Sequence, residues 1–124
     1  MLARPAVAVS ALALAASAAA ALPGPGSLPP GWSHAEINVT IRRVPHTLIY
    51  DRGRIQSVSP SALTLREVDG STATIPLVPE TRVLIGGRPA AVTDLRRGMT
   101  AVTLRIDGGP ARQVRARLGL LRRG

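Results

Sequence analysis

Few residues of this chain have the chemistry of a catalytic or metal site. Its 124 residues include two histidines, seven acids and no cysteine. His34 has only Glu36 close to it in sequence, and His46 follows Pro45 without a nearby ligand. A metal site needs about three or four His, Cys or carboxylate ligands at workable spacing. The sequence therefore predicts no metal and no cofactor.

The serines and carboxylates also lack a catalytic pattern. No serine has the Gly-x-Ser-x-Gly spacing of a strand-to-helix nucleophile, and no histidine falls within residues 48–118 to act as its base. Asp69 and Asp107 are typical of turns, and Asp94 of the first turn of a short helix. The acids thus provide no carboxylate pair for glycoside hydrolysis. We interpret the chain as a non-enzymatic protein.

Arginine is the remaining residue type that suggests a function. All sixteen basic residues are arginines, and the formal net charge is +9. The guanidinium group can hold a phosphate or carboxylate through two hydrogen bonds. Arginines cluster towards the end of the chain, where the candidate anion-binding residues are Arg105, Arg115, Arg117, Arg122 and Arg123. The alternative is a solvated strand face whose arginines reflect the codons of a GC-rich genome.

The elements that would position these arginines are strands. Aliphatic and polar residues alternate from residue 48 to residue 118, and a period of two is typical of half-buried strands. We expect a single all-β domain, a small barrel of about six strands of the OB-like or SH3-like type, with at most one short helical turn. The predicted strands lie near 47–58, 61–67, 72–78, 81–86, 99–107 and 111–118, and the turn at 93–97.

The alternation also gives the last predicted hairpin a register. With its aliphatic residues inward, Leu104 lies opposite Val114, while Thr103 faces outward opposite Arg115. Three arginines then share the outer face and form one electropositive stripe: Arg105, Arg115 and Arg117.

The N-terminal segment has the features of a secretory signal peptide. A positive start at Arg4 precedes an apolar stretch over residues 6–16 and a small-residue run over residues 17–21. This predicts export to the periplasm, cell envelope or extracellular space. A retained membrane anchor is the alternative, because residues 5–22 carry no charge. The expected organisation is a signal peptide (1–21), a Pro/Gly-rich tether (22–33), an extra strand (34–46), the barrel (47–118) and a basic tail (119–124).

The order of short motifs resembles a known family. Residues 53–58 read GRIQSV, and residues 94–102 read DLRRGMTAV. Between them, Asp69-Gly70 and Gly86-Gly87 predict turns that join neighbouring strands. The chain thereby resembles the secreted bacterial small-barrel domains of unknown function, domain-of-unknown-function family 5666, over about residues 50–117. The resemblance implies an exported barrel, often membrane-tethered or repeated, with no known catalytic residues.

Two functions from different classes remain open. The first is an envelope module that binds an anionic polymer, a lipid headgroup or an acidic protein through its arginine-rich face. Specific nucleic-acid binding is disfavoured because stacking aromatic residues are scarce, and anchoring in a membrane would require the N-terminal segment to be retained. The second is a structural or assembly subunit that pairs through an edge strand, either residues 37–41 or the proline-bearing third strand.

Overall fold

The computed structural model describes residues 26 and 28–118, together with the backbone of residues 7–10. In these residues nine strands form a single sheet, and a 3-10 turn covers Val92–Asp94, so the chain is all-β. The predicted strands are confirmed with small differences at their ends. The strands are β1 (Val7–Ser10), β2 (His34–Ile41), β3 (Val44–Ser59), β4 (Ala62–Glu67), β5 (Thr72–Pro76), β6 (Arg82–Ile85), β7 (Arg88–Ala90), β8 (Thr100–Ile106) and β9 (Ala111–Arg117).

The strand order is β1-β2-β3-β8-β9-β6-β7, with β4 attached to β3 and β5 attached to β4. The sixteen-residue strand β3 organises this sheet. Residues 44–51 of β3 pair with β2, residues 53–59 pair with β4, and residues 48–54 pair with β8. A closed barrel requires the strands at the two ends of this order to pair with each other. Among the described residues they do not, so the expected closed barrel is not confirmed.

Gly53 lies where β3 exchanges one partner for another. It is paired both with Ala101 of β8 and with Glu67 of β4. A Cβ atom at this position would lie 2.5 Å from the backbone oxygen of Arg66. Only glycine lets the two backbones approach this closely, so Gly53 allows β3 to hold β4 and β8 at the same point.

Two groups of buried residues cover the two faces of the sheet. The main core lies between β3, β4, β5, β6, β8 and β9, and it contains Ile55, Leu63, Leu65, Ile75, Leu77, Val83, Leu95, Met99, Ala101, Ala111, Val114 and Ala116. The second cluster lies on β2, β3 and the residues before them, and it contains Trp32, Ala35, Ile37, Val39, Leu48 and Tyr50. Burial on both sides of the sheet explains why this cysteine-free chain needs no disulfide to bury a core of modest size.

Strand β8 has both faces covered, and this overturns the register predicted from alternation. Thr103 lies opposite Val114 and is fully buried, whereas Leu104 lies opposite Gln113 and packs against the second cluster. A bulge follows, so that Arg105 pairs with Ala111. The predicted register assumed that only one face of β8 is buried. Because the larger aliphatic residues of β8 serve the second cluster, that register is wrong by one residue.

Candidate anion-binding groove

Arg52 and Arg115 lie in one row across three neighbouring strands. Arg52 of β3 is directly opposite Val102 of β8, and Val102 is directly opposite Arg115 of β9. Directly opposed residues project from the same face of a sheet. The two arginines therefore flank Val102 on the face that carries the second cluster.

The next row repeats this arrangement. Arg54 is opposite Thr100, and Thr100 is opposite Arg117. Because residues two apart along a strand share a face, this row lies beside the first one. The two rows together contain four arginines of β3 and β9, which we call the arginine face: Arg52, Arg54, Arg115 and Arg117. Arg66 of β4 is directly opposite Arg54 and continues the second row beyond β3.

A groove of about 430 Å³ opens beside these rows. Three of the four arginines line it, together with Trp32 and Val102. None of the described residues that line it is an acid. Its described lining thus combines positive charge with an apolar floor. The lining arginines are Arg52, Arg115 and Arg117.

The loop between β6 and β7 forms one border of the groove. The amide of Gly86 donates to the carbonyl oxygen of Ala116 at 2.9 Å, which holds the loop against β9. Gly86 and Gly87 have φ values of 60° and 82°, a region that favours glycine in two-residue hairpin loops. The turn predicted here is confirmed. Because it carries no side chains, it borders the groove without filling it.

Trp32 holds the guanidinium of Arg52. The Cζ atom of Arg52 lies 4.7 Å from the centre of the Trp32 ring, well within the distance at which a cation is attracted to an aromatic face. Only 8% of Trp32 is exposed, so its ring is fixed by the second cluster. A buried ring beneath a partly exposed arginine positions that cation at the groove.

The charges of the arginine face are not neutralised by acids among the described residues. Within the part of the chain that the structure describes, none of its four arginines forms an ion pair with an acid. Their charges are therefore available to an external anion.

Arg105 does not belong to this face, and the prediction that it shares one with Arg115 and Arg117 is wrong. It lies opposite Ile49, on the side of the sheet that carries Asp51. Its Nη2 atom is 3.7 Å from Oδ2 of the fully buried Asp51, and only 20% of its side chain is exposed. The one-residue error in the register of β8 is the reason. The remaining two candidates, Arg122 and Arg123, lie outside the described residues.

A polar cluster of the buried His34 and Asp51 and the exposed Glu36 lies on that opposite side, where β2 meets β3. The Nδ1 atom of His34 is 2.7 Å from Oδ1 of Asp51, and its Nε2 atom is 3.0 Å from Oε2 of Glu36. Both ring nitrogens are thus engaged by carboxylates. No group of three or more His, Cys, Asp or Glu residues within residues 26 and 28–118 could hold a metal ion. This cluster ties β2 to β3, and we assign it no chemistry.

Burial and hydrogen bonding shift the pKa values of Tyr50 and Asp107. The backbone amide of Thr47 donates to Oδ1 of Asp107 at 2.8 Å, and Nδ1 of His46 lies 2.6 Å from Oδ2. These hydrogen bonds, first that of Thr47 and then that of His46, lower the pKa of Asp107. In the second cluster, burial raises the pKa of Tyr50. Both groups lie outside the groove.

Three residues of the arginine face and its support were missing from the sequence-based candidates. Arg52 and Arg54 flank Gly53 in a predicted strand, and this i, i+2 spacing was a readable sign that they share a face. The sequence places Trp32 in the predicted tether, and nothing in it shows that the ring packs on Arg52. The groove therefore depends on a contact between two segments that are separated in sequence.

Comparison with known proteins gives no further assignment. No family model, no curated protein and no solved structure matches this chain. The resemblance to domain-of-unknown-function family 5666 therefore stays a prediction. Among the described residues, no helix has the length and apolar character needed to span a bilayer.

Proposed function

We propose that this protein is an exported, non-enzymatic envelope module that binds an anionic polymer in the groove of the arginine face. The observation that supports this most directly is the convergence of Arg52, Arg115 and Arg117 on one groove whose described lining contains no carboxylate. Phosphate and carboxylate groups are the anions that a planar guanidinium recognises through paired hydrogen bonds.

A polymer suits this surface better than a single small anion. An exposed charge pair contributes only about 0 to 1 kcal/mol, so useful affinity requires several contacts at once. Two rows of arginines offer such repeated contacts to a chain with regularly spaced charges. Val102 and Trp32 add an apolar floor for the uncharged parts of the repeat.

Binding of this kind must weaken with salt. The screening length in water is about 10 Å at 0.1 M salt, and exposed charges separated by more than that interact little. We expect retention on a phosphate-bearing wall polymer at low ionic strength and its loss as salt rises past about 0.1 M.

A pair of charge-matched variants tests the proposal. The double variant Arg115→Gln/Arg117→Gln removes two groove arginines, and the control Arg96→Gln/Arg97→Gln removes the same charge from exposed positions outside the groove. Retention should fall strongly for the first and little for the second. If both variants lose retention equally, binding depends only on the net charge of the protein, and a site in the groove is contradicted.

Parallel measurements distinguish the polymer from other anions. Vesicles with anionic headgroups and an immobilised acidic protein also carry negative charge, but in a different arrangement. If the native protein binds either of these more strongly than the polymer, and Arg115→Gln/Arg117→Gln abolishes that binding, then the ligand is the lipid or the protein and not the polymer. Export itself is tested by N-terminal sequencing of secreted material, which should begin at Ala21 or Leu22.

A further inference from the structure

The outer edge of β2 accepts a strand from the N-terminal segment. In the structure β1 runs parallel to β2, from Val7 opposite Ala35 to Ser10 opposite Asn38. The other edge of β2 is paired along its whole length with β3. The only described strand covering the outer edge therefore lies within the residues whose sequence predicts a cleaved signal peptide.

The backbone groups that face this edge can be assigned. The carbonyl oxygen of Ser33 accepts a hydrogen bond from the amide of Arg52 at 2.8 Å, so position 33 points towards β3. In an antiparallel pair the direction of these groups alternates along the strand. The amides and carbonyls that point to the outer edge therefore belong to the even-numbered positions, among them Glu36, Asn38 and Thr40.

This edge lacks the protection that the other outer strands have. Strand β5 ends at Pro76, and the three-residue strand β7 has Pro89 at its centre. Proline and short length both discourage pairing with another chain. Strand β2 has eight residues, no proline and a single acid, Glu36. Once β1 is removed, β2 is the long unprotected edge of the described sheet.

We propose that a second copy of this chain occupies the edge after residues 1–21 are removed, with the two β2 strands antiparallel about a twofold axis. This rests on the processing proposed above and is independent of the groove. A twofold interface uses the same patch on both copies, and each processed chain bares the identical strand.

The pattern of β2 fits such self-pairing. Centring the pair on Ile37 places Glu36 of each copy opposite Asn38 of the other, so like charges do not face each other. Both positions point their backbone groups outward, as a hydrogen-bonded antiparallel pair requires. The pairing also brings Ile37 of both copies to the same face, where it continues the second cluster across the interface.

The molecular mass of the processed protein in solution tests the proposal. The full chain is expressed with export, and the secreted product, after N-terminal sequencing, is measured by light scattering. We expect a dimer. The variant Asn38→Pro removes an outward amide without breaking the ladder to β3, and should halve the mass. The control Asn38→Ala loses the same side chain, which accepts from Thr47, but keeps the amide and should remain dimeric.

A second measurement needs no variant and covers the case in which Asn38→Pro does not fold. Hydrogen exchange at the amides of Glu36 and Asn38 should be slow in the dimer and faster on dilution to monomer. A monomeric product, a dimer that Asn38→Pro leaves intact, a different protein bound at this edge, or retention of residues 1–21 would each overturn the proposal. Arg115→Gln/Arg117→Gln should leave the mass unchanged, so failure of the groove and failure of this interface are distinguishable.

Discussion

The guanidinium of Arg52 lies 4.7 Å from the centre of the Trp32 ring, although the two residues belong to different segments. Trp32 lies two residues before β2, and Arg52 lies at the middle of β3. The ring is buried and the arginine reaches the groove. This contact therefore links the packing of the second cluster to the position of a charge.

Removing the aromatic ring of Trp32 should leave the guanidinium of Arg52 less firmly positioned at the groove. Exposed cation–π contacts contribute about 0.5 to 1 kcal/mol, which corresponds to a roughly two- to five-fold change in an equilibrium constant. We expect Trp32→Leu to lower retention on the anionic polymer by about that factor at low salt, and Trp32→Phe to lower it less. Melting temperatures of both variants control for loss of folded protein. Equal binding by the leucine variant and the native protein would show that the stack does not position Arg52.

Thr103 provides a test of the observed register. It is fully buried, and its hydroxyl has no hydrogen-bond partner within the described part of the chain. Because leaving a buried polar group unpaired costs about 1 to 3 kcal/mol, Thr103→Val should leave the free energy of unfolding unchanged or raise it. Thr103→Ala should lower it, since it leaves a cavity in the main core. Urea denaturation measures both. A destabilised valine variant would indicate that the hydroxyl has a partner.

Gly53→Ala should be among the most damaging single methyl additions. The new Cβ would meet the backbone oxygen of Arg66 at 2.5 Å, and backbone cannot rotate away as a side chain can. We expect a loss of about 1 to 3 kcal/mol in the free energy of unfolding. Gly26→Ala is the matched control, because a Cβ there meets nothing within 4 Å. Similar denaturation midpoints for the two variants would refute the close approach of β3 and β4.

Asp107 should contribute stability that depends on pH. Hydrogen bonds from the Thr47 amide and from His46 lower its pKa in the folded state, so the ionised carboxylate favours folding. This contribution is present above the unfolded pKa of about 4 and is lost as pH falls through the lower folded value. The difference in stability between the native protein and Asp107→Asn should therefore be constant near neutral pH and vanish in acid. Thermal melts at stepped pH measure it.

Glu80→Gln is the control for that experiment, because Glu80 is an exposed carboxylate and its replacement removes the same charge without removing these hydrogen bonds. If the stability difference between the native protein and Asp107→Asn stays unchanged below the pKa of Asp107 in the folded state, ionisation of this carboxylate does not contribute to stability. In that case the substitution would act through the backbone of the β8–β9 turn.

The sequence predicted the strands well because alternation reports which residues are half-buried, and β4, β5 and β9 each have one clearly buried side. It failed in β8 for a physical reason. There, Val102 and Leu104 pack on one side while Ala101 and Thr103 fill the other, so alternation cannot say which side faces the main core. The bulge adds to this, because its extra residue is Arg112 of β9 and neither β8 nor β9 contains a proline or glycine that would mark its position.

The same limit applies to the groove. Arg115 and Arg117 were placed correctly on one face because they are two residues apart in one strand. Arg52 joins them only through β8, which pairs with both β3 and β9. A single sequence shows which residues share a strand face, but it does not show which distant strands become neighbours.

The position of β9 in the sheet has a consequence for the order in which the protein folds. This strand is the last of the described strands in the chain, yet it lies between β8 and β6 and pairs in parallel with β6. Until it forms, β6 and β7 have no described connection to the rest of the sheet. Pairings between distant segments close slowly, in milliseconds to seconds for β-rich domains. A chain emerging from a ribosome therefore cannot complete this sheet strand by strand from the N-terminus, and the sheet stays unfinished until β9 has emerged.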